Sequence, residues 1–324
     1  VSRPEKLKII FVLGPTASGK TSLALKLAQS FGGSIWNCDS VQAYCGLDIG
    51  SAKPSSQERA LCPHFLFDLI SPPQELTAGE YRRLFFEQLS YLQKYNPELL
   101  LRPVFVVGGT GFYFQALEKG LFEVPASQIE TRRPFEQILE TANGQEKLFE
   151  ILKQKDPNSA SWIKPQDHYR LVRALELLSL GFVPSLEKSK KQERAQDFPG
   201  DLLKLGLSLE KESHRKIVSQ RTQEMMNQGL VAEVEDLFQK GYAQWAPLQS
   251  VGYKEVSEYL ASGKTESDLQ LQERIVQGTM KLIKKQKTWF YRDSEINWIN
   301  PLEPSHFEVA LTLVQNFLDK RLTD

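Results

Sequence analysis

The chain has 324 residues, enough for about two domains, and its 41% hydrophobic and 25% charged residues are the balance of an ordinary globular protein. Forty basic and forty acidic residues cancel, so bulk charge names no nucleic-acid partner, although a local patch would suffice for one. Cys38, Cys45 and Cys62 are odd in number and lack C-x-x-C spacing, which argues against a disulfide framework or zinc site and for a reducing compartment. No apolar stretch approaches about 18 residues and no signal-peptide core opens the sequence, so the expectation is a cytoplasmic protein with no membrane partner.

Taken in chain order, residues 7–13, 34–38 and 104–107 are apolar runs that predict buried strands, and residues 21–30 and 78–94 carry helical periodicity. Thr77, with Glu80 three residues on, predicts the N-cap of the second helix. Strands alternating with helices predict a parallel α/β sheet with flanking helices. From about 125 the strand signal stops. "RRPFEQILETANGQEKLFEILKQ" and "DHYRLVRALELLSLG" are helical, and "PSLEKSKKQERAQDFPG" is polar and turn-rich, so a small helical insertion ending in a mobile segment is expected. "DLLKLGLSL" (201–209) reads as a strand again, followed by helices at about 211–228, 231–240 and 266–291. The expected division is a first part of the core at 1–122, an insertion at 123–200 and a return to the core at 201–324.

The first strand runs into "GPTASGKT". Gly14, Pro15, Thr16, Ala17, Ser18, Gly19, Lys20 and Thr21 fit G-x-x-x-x-G-K-[ST] between a strand and a helix, where backbone N–H groups and the helix dipole hold an anion. Lys20 adds a mobile positive charge, and the Thr21 hydroxyl suits Mg²⁺. The second strand ends in "CDSVQAY", which sets Asp39 and Ser40 at the strand end where α/β sheets bind ligands. Asp39 there is a candidate general base or a plain turn cap.

"PVFVVGGTGFY" ends its strand in Gly108, Gly109 and Thr110, where a hydrolytic P-loop enzyme usually carries an Asp. The glycines read either as room for a ligand against the backbone, with Thr110 offering a neutral hydroxyl, or as a structural turn. Lys53 lies on the loop "LDIGSAKP". Arg170 and Arg173 share a helix face, suited to an anion or to a neighbouring helix. Arg215 and Arg221 offer a second grip on phosphate. From Arg274 to Arg292 there are six basic residues and no acidic one. Lys281, Lys284 and Lys285 on one face, followed by Trp289, Phe290 and Tyr291, suit a single-stranded nucleic acid or a solvated helix face over core aromatics.

Together "GPTASGKT", "DSVQAY", "DIGSAKP", "PHFLFD", "VGGTGFY", "RLVRALE", "SVGYKE" and "KKQKTWF" resemble, in order, the motifs of the tRNA dimethylallyltransferase (tRNA isopentenyltransferase) family. Ser51 stands where Thr is usual and Lys285 where Arg is usual, while Tyr291 shifts Arg292 by one place. The zinc finger of eukaryotic members has no counterpart, which points to the bacterial type. The resemblance implies a P-loop NTPase-like fold with a helical insertion that clamps tRNA. It implies transfer of the dimethylallyl group from dimethylallyl diphosphate to N6 of adenosine at position 37 in the anticodon stem-loop, with diphosphate leaving. Asp39, Thr110, Lys20 and Arg215 would be catalytic, residues 14–21 would hold the diphosphate, and Mg²⁺ would sit at Thr21. Asp39, Ser40, Val41, Gln42, Lys53, Tyr169, Arg170, Arg173, Gln249, Gly252, Tyr253, Lys254, Lys281, Lys284, Lys285, Gln286 and Trp289 would meet the tRNA, and a monomer is expected. The alternative from the P-loop alone is a small-molecule kinase.

Overall fold

The computed structural model describes residues 6–121, 124–125, 127–186 and 198–319. These residues form two compact units, one running to Gln115 and resuming at Pro199, the other spanning Ala116–Phe198.

The first unit is built on six strands: β1 (Leu7–Leu13), β2 (Ser34–Asn37), β3 (His64–Phe65), β4 (Val104–Gly108), β5 (Gly200–Leu207) and β6 (Asn297–Ile299). All pair in parallel in the order β3-β2-β4-β1-β5-β6. Buried on both faces, β4 and β1 from Ile9 onward read as continuous apolar runs rather than alternating ones. Helices α1 (Lys20–Phe31), α2 (Ser56–Arg59), α3 (Ala78–Tyr95) and α4 (Gly111–Lys119) follow strands in turn. Gly19 and Gly32, both left-handed, start and stop α1, which buries Leu23, Ala24, Leu27 and Ala28 against Ile10, Val12, Ile35 and Phe105. The Thr77 hydroxyl does cap α3 by accepting the Glu80 N–H, and Phe85 of that helix packs on Trp36 at 4.9 Å between ring centroids.

The second unit holds α5 (Ile129–Leu139), α6 (Gly144–Lys155), α7 (Pro157–Ala160) and α8 (His168–Ser179). Leu148, Leu152, Ile163, Leu171, Val172 and Leu175 form its core. Asp156 and Glu176 are buried in this unit, and Glu176 forms an ion pair with Arg173 at 2.7 Å while accepting from the Ser127 hydroxyl at 2.9 Å and the Gln128 N–H at 3.0 Å. Most of the polar stretch 184–200, expected to be mobile, falls outside the described residues.

The chain returns to the first unit with β5, then α9 (Lys211–Asn227), α10 (Leu230–Gln239), α11 (Tyr253–Ala261), α12 (Asp268–Phe290), β6 and α13 (His306–Asp319). β5 stops at Leu207 rather than at 209. β3 and β6, of two and three residues, are too short to carry a pattern, and the sequence predicts neither. The three cysteines are free thiols, and no helix among the described residues is long and apolar enough to cross a membrane.

Candidate active site

Strand register brings the chemistry together. Leu13 lies opposite Gly108 on one side and Gly206 on the other, and Asn37 lies opposite Val107. The P-loop, the Asp39 turn and the Gly109–Thr110 turn therefore leave the sheet at one edge, the carboxyl ends of adjacent strands. Beside them opens a cleft of about 960 Å³, lined by Ala17–Ser22 of the P-loop, by the 48–56 loop and by Arg221, Glu224 and Met225 of α9.

In the cradle, Gly14 has φ +145°, and a Cβ there would stand 2.5 Å from the Leu207 carbonyl oxygen, so no side chain fits. The Lys20 ammonium donates to the Pro15 carbonyl at 2.7 Å. Burial pushes its pKa down to about 7, with Asp39 opposing the fall and Arg221 adding to it. Burial likewise lowers the Arg221 guanidinium, and Asp39 and Glu224 oppose it. One carboxylate thus stands within electrostatic reach of two cations at an anion-binding loop.

Asp39 makes the turn cap with one of its two carboxylate oxygens. Oδ1 accepts the Val41 N–H at 2.9 Å as a turn cap, while Oδ2 has no hydrogen-bond partner among the described residues. Asn37, buried at the end of β2, fixes this turn by accepting the Asp39 N–H and donating to the Asp39 carbonyl, each at 3.0 Å. The Thr110 hydroxyl accepts the Ser40 N–H at 3.0 Å and so ties the Gly109–Thr110 turn to the Asp39 turn.

The family model described as IPP transferase matches residues 42–293, and that described as isopentenyl transferase matches residues 7–64. The chain belongs to the IPP transferase family. It is 45% identical over 97% of its length to a tRNA dimethylallyltransferase of Bdellovibrio bacteriovorus, 99% of which is covered. With the enzyme of that name from Geobacter metallireducens the identity is 38%, over 97% of this chain and 98% of the other. A crystal structure of a tRNA isopentenylpyrophosphate transferase from Bacillus halodurans superposes with a TM-score of 0.67 at 26% identity, covering 97% and 96% of the two chains. A eukaryotic dimethylallyltransferase acting on tRNA shares the fold, with a TM-score of 0.75 at 22% identity over 98% of this chain and 81% of that one.

Within this fold several side chains expected to meet substrate make contacts with protein partners. Arg215 points away from the cleft and pairs with Glu273 at 2.6 Å, and the cleft receives Arg221. Six residues apart on α9, the two arginines differ by about 240° around the helix, so only one can face the P-loop. Lys53 lines the cleft, but its three donors are spent on the Tyr44 carbonyl, Asp48 and Asp68, at 2.7, 2.5 and 2.6 Å. Arg173 is held by the buried Glu176 and the Pro125 carbonyl, whereas Arg170 and Tyr169 are exposed. Tyr253 is wholly buried with its hydroxyl on Glu233, and the Gly252 N–H donates to Glu255. The Gln42 amide donates to the Ser51 and Ala52 carbonyls. Gln286 is likewise bound on both sides of its amide.

The glycines of "VGGTG" are each closely backed by protein atoms. A Cβ at Gly108 would meet the Cys38 carbonyl oxygen at 2.0 Å, one at Gly109 the Gln286 amide at 2.6 Å, and one at Gly111 the Trp289 indole at 2.2 Å. Sequence reasoning misses Glu233 altogether. Its carboxylate accepts the N–H groups of Asp48, Ile49 and Gly50 at 3.0, 2.8 and 3.2 Å, which fixes the loop walling the cleft. An acidic residue inside an apolar helical pattern, "LVAEVEDLF", is the available signal. Gln249, Lys254, Lys281, Lys284 and Lys285 are exposed, as a contact surface needs.

Proposed function

We propose that this chain transfers the dimethylallyl group from dimethylallyl diphosphate to N6 of an adenosine beside the tRNA anticodon. What carries the reading is Lys20 and Arg221 flanking a phosphate cradle while the free Oδ2 of Asp39 stands within electrostatic reach of both. The near-full-length similarity to two tRNA dimethylallyltransferases supports the same reaction. A kinase is disfavoured by Gly108, Gly109 and Thr110 at the end of β4, where no acid is available to hold a nucleotide's metal.

In this mechanism the backbone N–H groups of the P-loop, Lys20 and Arg221 take up the charge that grows on diphosphate as its bond to the allylic carbon breaks. The adenine N6 lone pair is delocalised into the ring and is a weak nucleophile until its proton leaves. Asp39 Oδ2 accepts that proton as the new C–N bond forms, and Thr110 and Asn37 hold the Asp39 turn in place. The target base must leave the anticodon stack to reach this edge of the sheet.

Among the described residues no cluster of three acidic, His or Cys side chains offers a complete metal cage. A single hydroxyl, Thr21, in a cradle built for phosphate suits Mg²⁺ held chiefly by substrate oxygens and water. When bound, the ion would add to the neutralisation of the leaving group.

The test supplies labelled dimethylallyl diphosphate and unmodified tRNA without ATP. Label is expected in RNA, and a requirement for ATP or an absence of transfer would reject the proposal. In the same assay Asp39→Asn is expected to slow single-turnover transfer by about 10²–10⁴-fold. A wild-type rate would leave Asp39 only its cap.

A further inference from the structure

Both peptide groups flanking Thr16 are gripped by side chains that do not line the cleft. The Thr16 N–H donates to Gln286 Oε1 at 2.9 Å. The Thr16 carbonyl accepts from the Nε2–H of His214 at 2.8 Å. Gln286 comes from α12 and also donates through Nε2 to the Gly109 carbonyl at 2.8 Å. His214 comes from α9 and is fully buried, and its Nδ1 has no partner among the described residues. Burial lowers its pKa, which keeps the ring neutral near pH 7.

A trans peptide points its N–H and C=O in opposite directions. Fixing one end therefore fixes the other. With the Thr16 N–H on Gln286, the Pro15 carbonyl of the same peptide is turned the opposite way, where the Lys20 ammonium meets it at 2.7 Å. With the Thr16 carbonyl on His214, the Ala17 N–H of that peptide points away from His214, and Ala17 lines the cleft. Ala17 also has φ +58°, a left-handed conformation that is unfavourable for a non-glycine residue and persists only when its surroundings hold it.

We infer that Gln286 and His214 are positioning residues for diphosphate: they act through the two Thr16 peptides, one parking Lys20 and the other aiming the Ala17 N–H. The inference rests on the proposed reaction, in which the cradle holds the leaving group. Gln286 adds a second effect, because its other bond ties the cradle to the Gly109–Thr110 turn and hence to the Asp39 turn. One amide thus sets the distance between the leaving-group site and the base.

Inorganic pyrophosphate titrated into the full chain by calorimetry reads the cradle alone. His214→Phe and Gln286→Met are each expected to weaken pyrophosphate binding about ten-fold, the scale of a single hydrogen bond. KM for dimethylallyl diphosphate should rise in step while KM for tRNA stays put. His214→Gln, which keeps a donor at the Nε2 position, is expected to recover affinity to within about two-fold of wild type. A merely structural role would lower the melting temperature and the active fraction but leave pyrophosphate affinity of the folded protein unchanged. That result in Gln286→Met, or in His214→Phe where it folds, overturns the inference, as does a His214→Gln no better than His214→Phe. Label transfer to tRNA by the wild type tests the underlying reaction separately.

Discussion

Lys20 carries a pH dependence that its motif alone does not reveal. With its pKa lowered to about 7 by burial, Lys20 loses part of its positive charge near neutral pH. An arriving diphosphate favours the charged form, so binding takes up a proton. The sign follows: affinity is fully expressed below about pH 7 and falls as pH rises towards the bound-state pKa. Comparing pyrophosphate affinity of wild type and Lys20→Arg from about pH 6 to 9 removes the ligand's own titration. The wild-type curve is expected to fall below that of Lys20→Arg by up to about ten-fold per pH unit above 7. Parallel curves would mean that Lys20 stays charged throughout. At this scale the P-loop is legible because its residues act from consecutive backbone positions. Arg221 is harder to separate from Arg215, since that choice depends on the rotation of α9, which two basic residues on one helix do not reveal. The His214 and Glu233 bonds are hidden for a related reason: each joins positions far apart in sequence, and local spacing carries no trace of them.

Helix α12 works on two faces at once. Lys281, Lys284 and Lys285 are exposed, while Gln286 and Trp289 turn inward to Gly109 and Gly111. The exposed face is the proposed RNA surface, so Lys284→Glu with Lys285→Glu should weaken tRNA binding and flatten its salt dependence. Every phosphate that the helix no longer neutralises lowers the log–log slope by about 0.7–0.9. Pyrophosphate affinity should not change, because neither lysine touches the cradle. An unaltered slope would return this face to solvent. Among elements, β1, β4 and α3 are legible in full, since each has a long apolar run or a capped, periodic face. β3 and β6 are not, because two or three residues in a strand are specified by the neighbour they pair with. The glycines after β4 are legible as glycines but not in purpose. Their missing side chains are matched by Gln286 and Trp289, some 180 residues away.

In the molecule as a whole, the helical stretch is legible from the loss of strand signal, and the unit Ala116–Phe198 contains only helices among its described elements. Its buried Glu176 is not, because a charge inside "RALELL" looks like any solvated helix residue. Glu176→Ala leaves Arg173 facing that core without its carboxylate and should destabilise the chain by about 3–5 kcal/mol, read by urea unfolding. A loss below about 1 kcal/mol would show that water already reaches the pair. The order of the sheet has a consequence for how the protein is made. β1, which delivers the P-loop, lies between β4 and β5, and Lys8 and its β5 neighbour Asp201 are 193 residues apart in the chain. A ribosome therefore makes the anion loop well before its supports: Leu207 against Gly14, then His214, then Gln286. At usual elongation rates the apolar edge of β1 waits on the order of 10–40 seconds for β5, a window in which chaperones have something to bind. A fragment ending at residue 199 carries every residue of the P-loop motif and is expected to bind no pyrophosphate. Full affinity in that fragment would mean that the loop is competent before its sheet is complete.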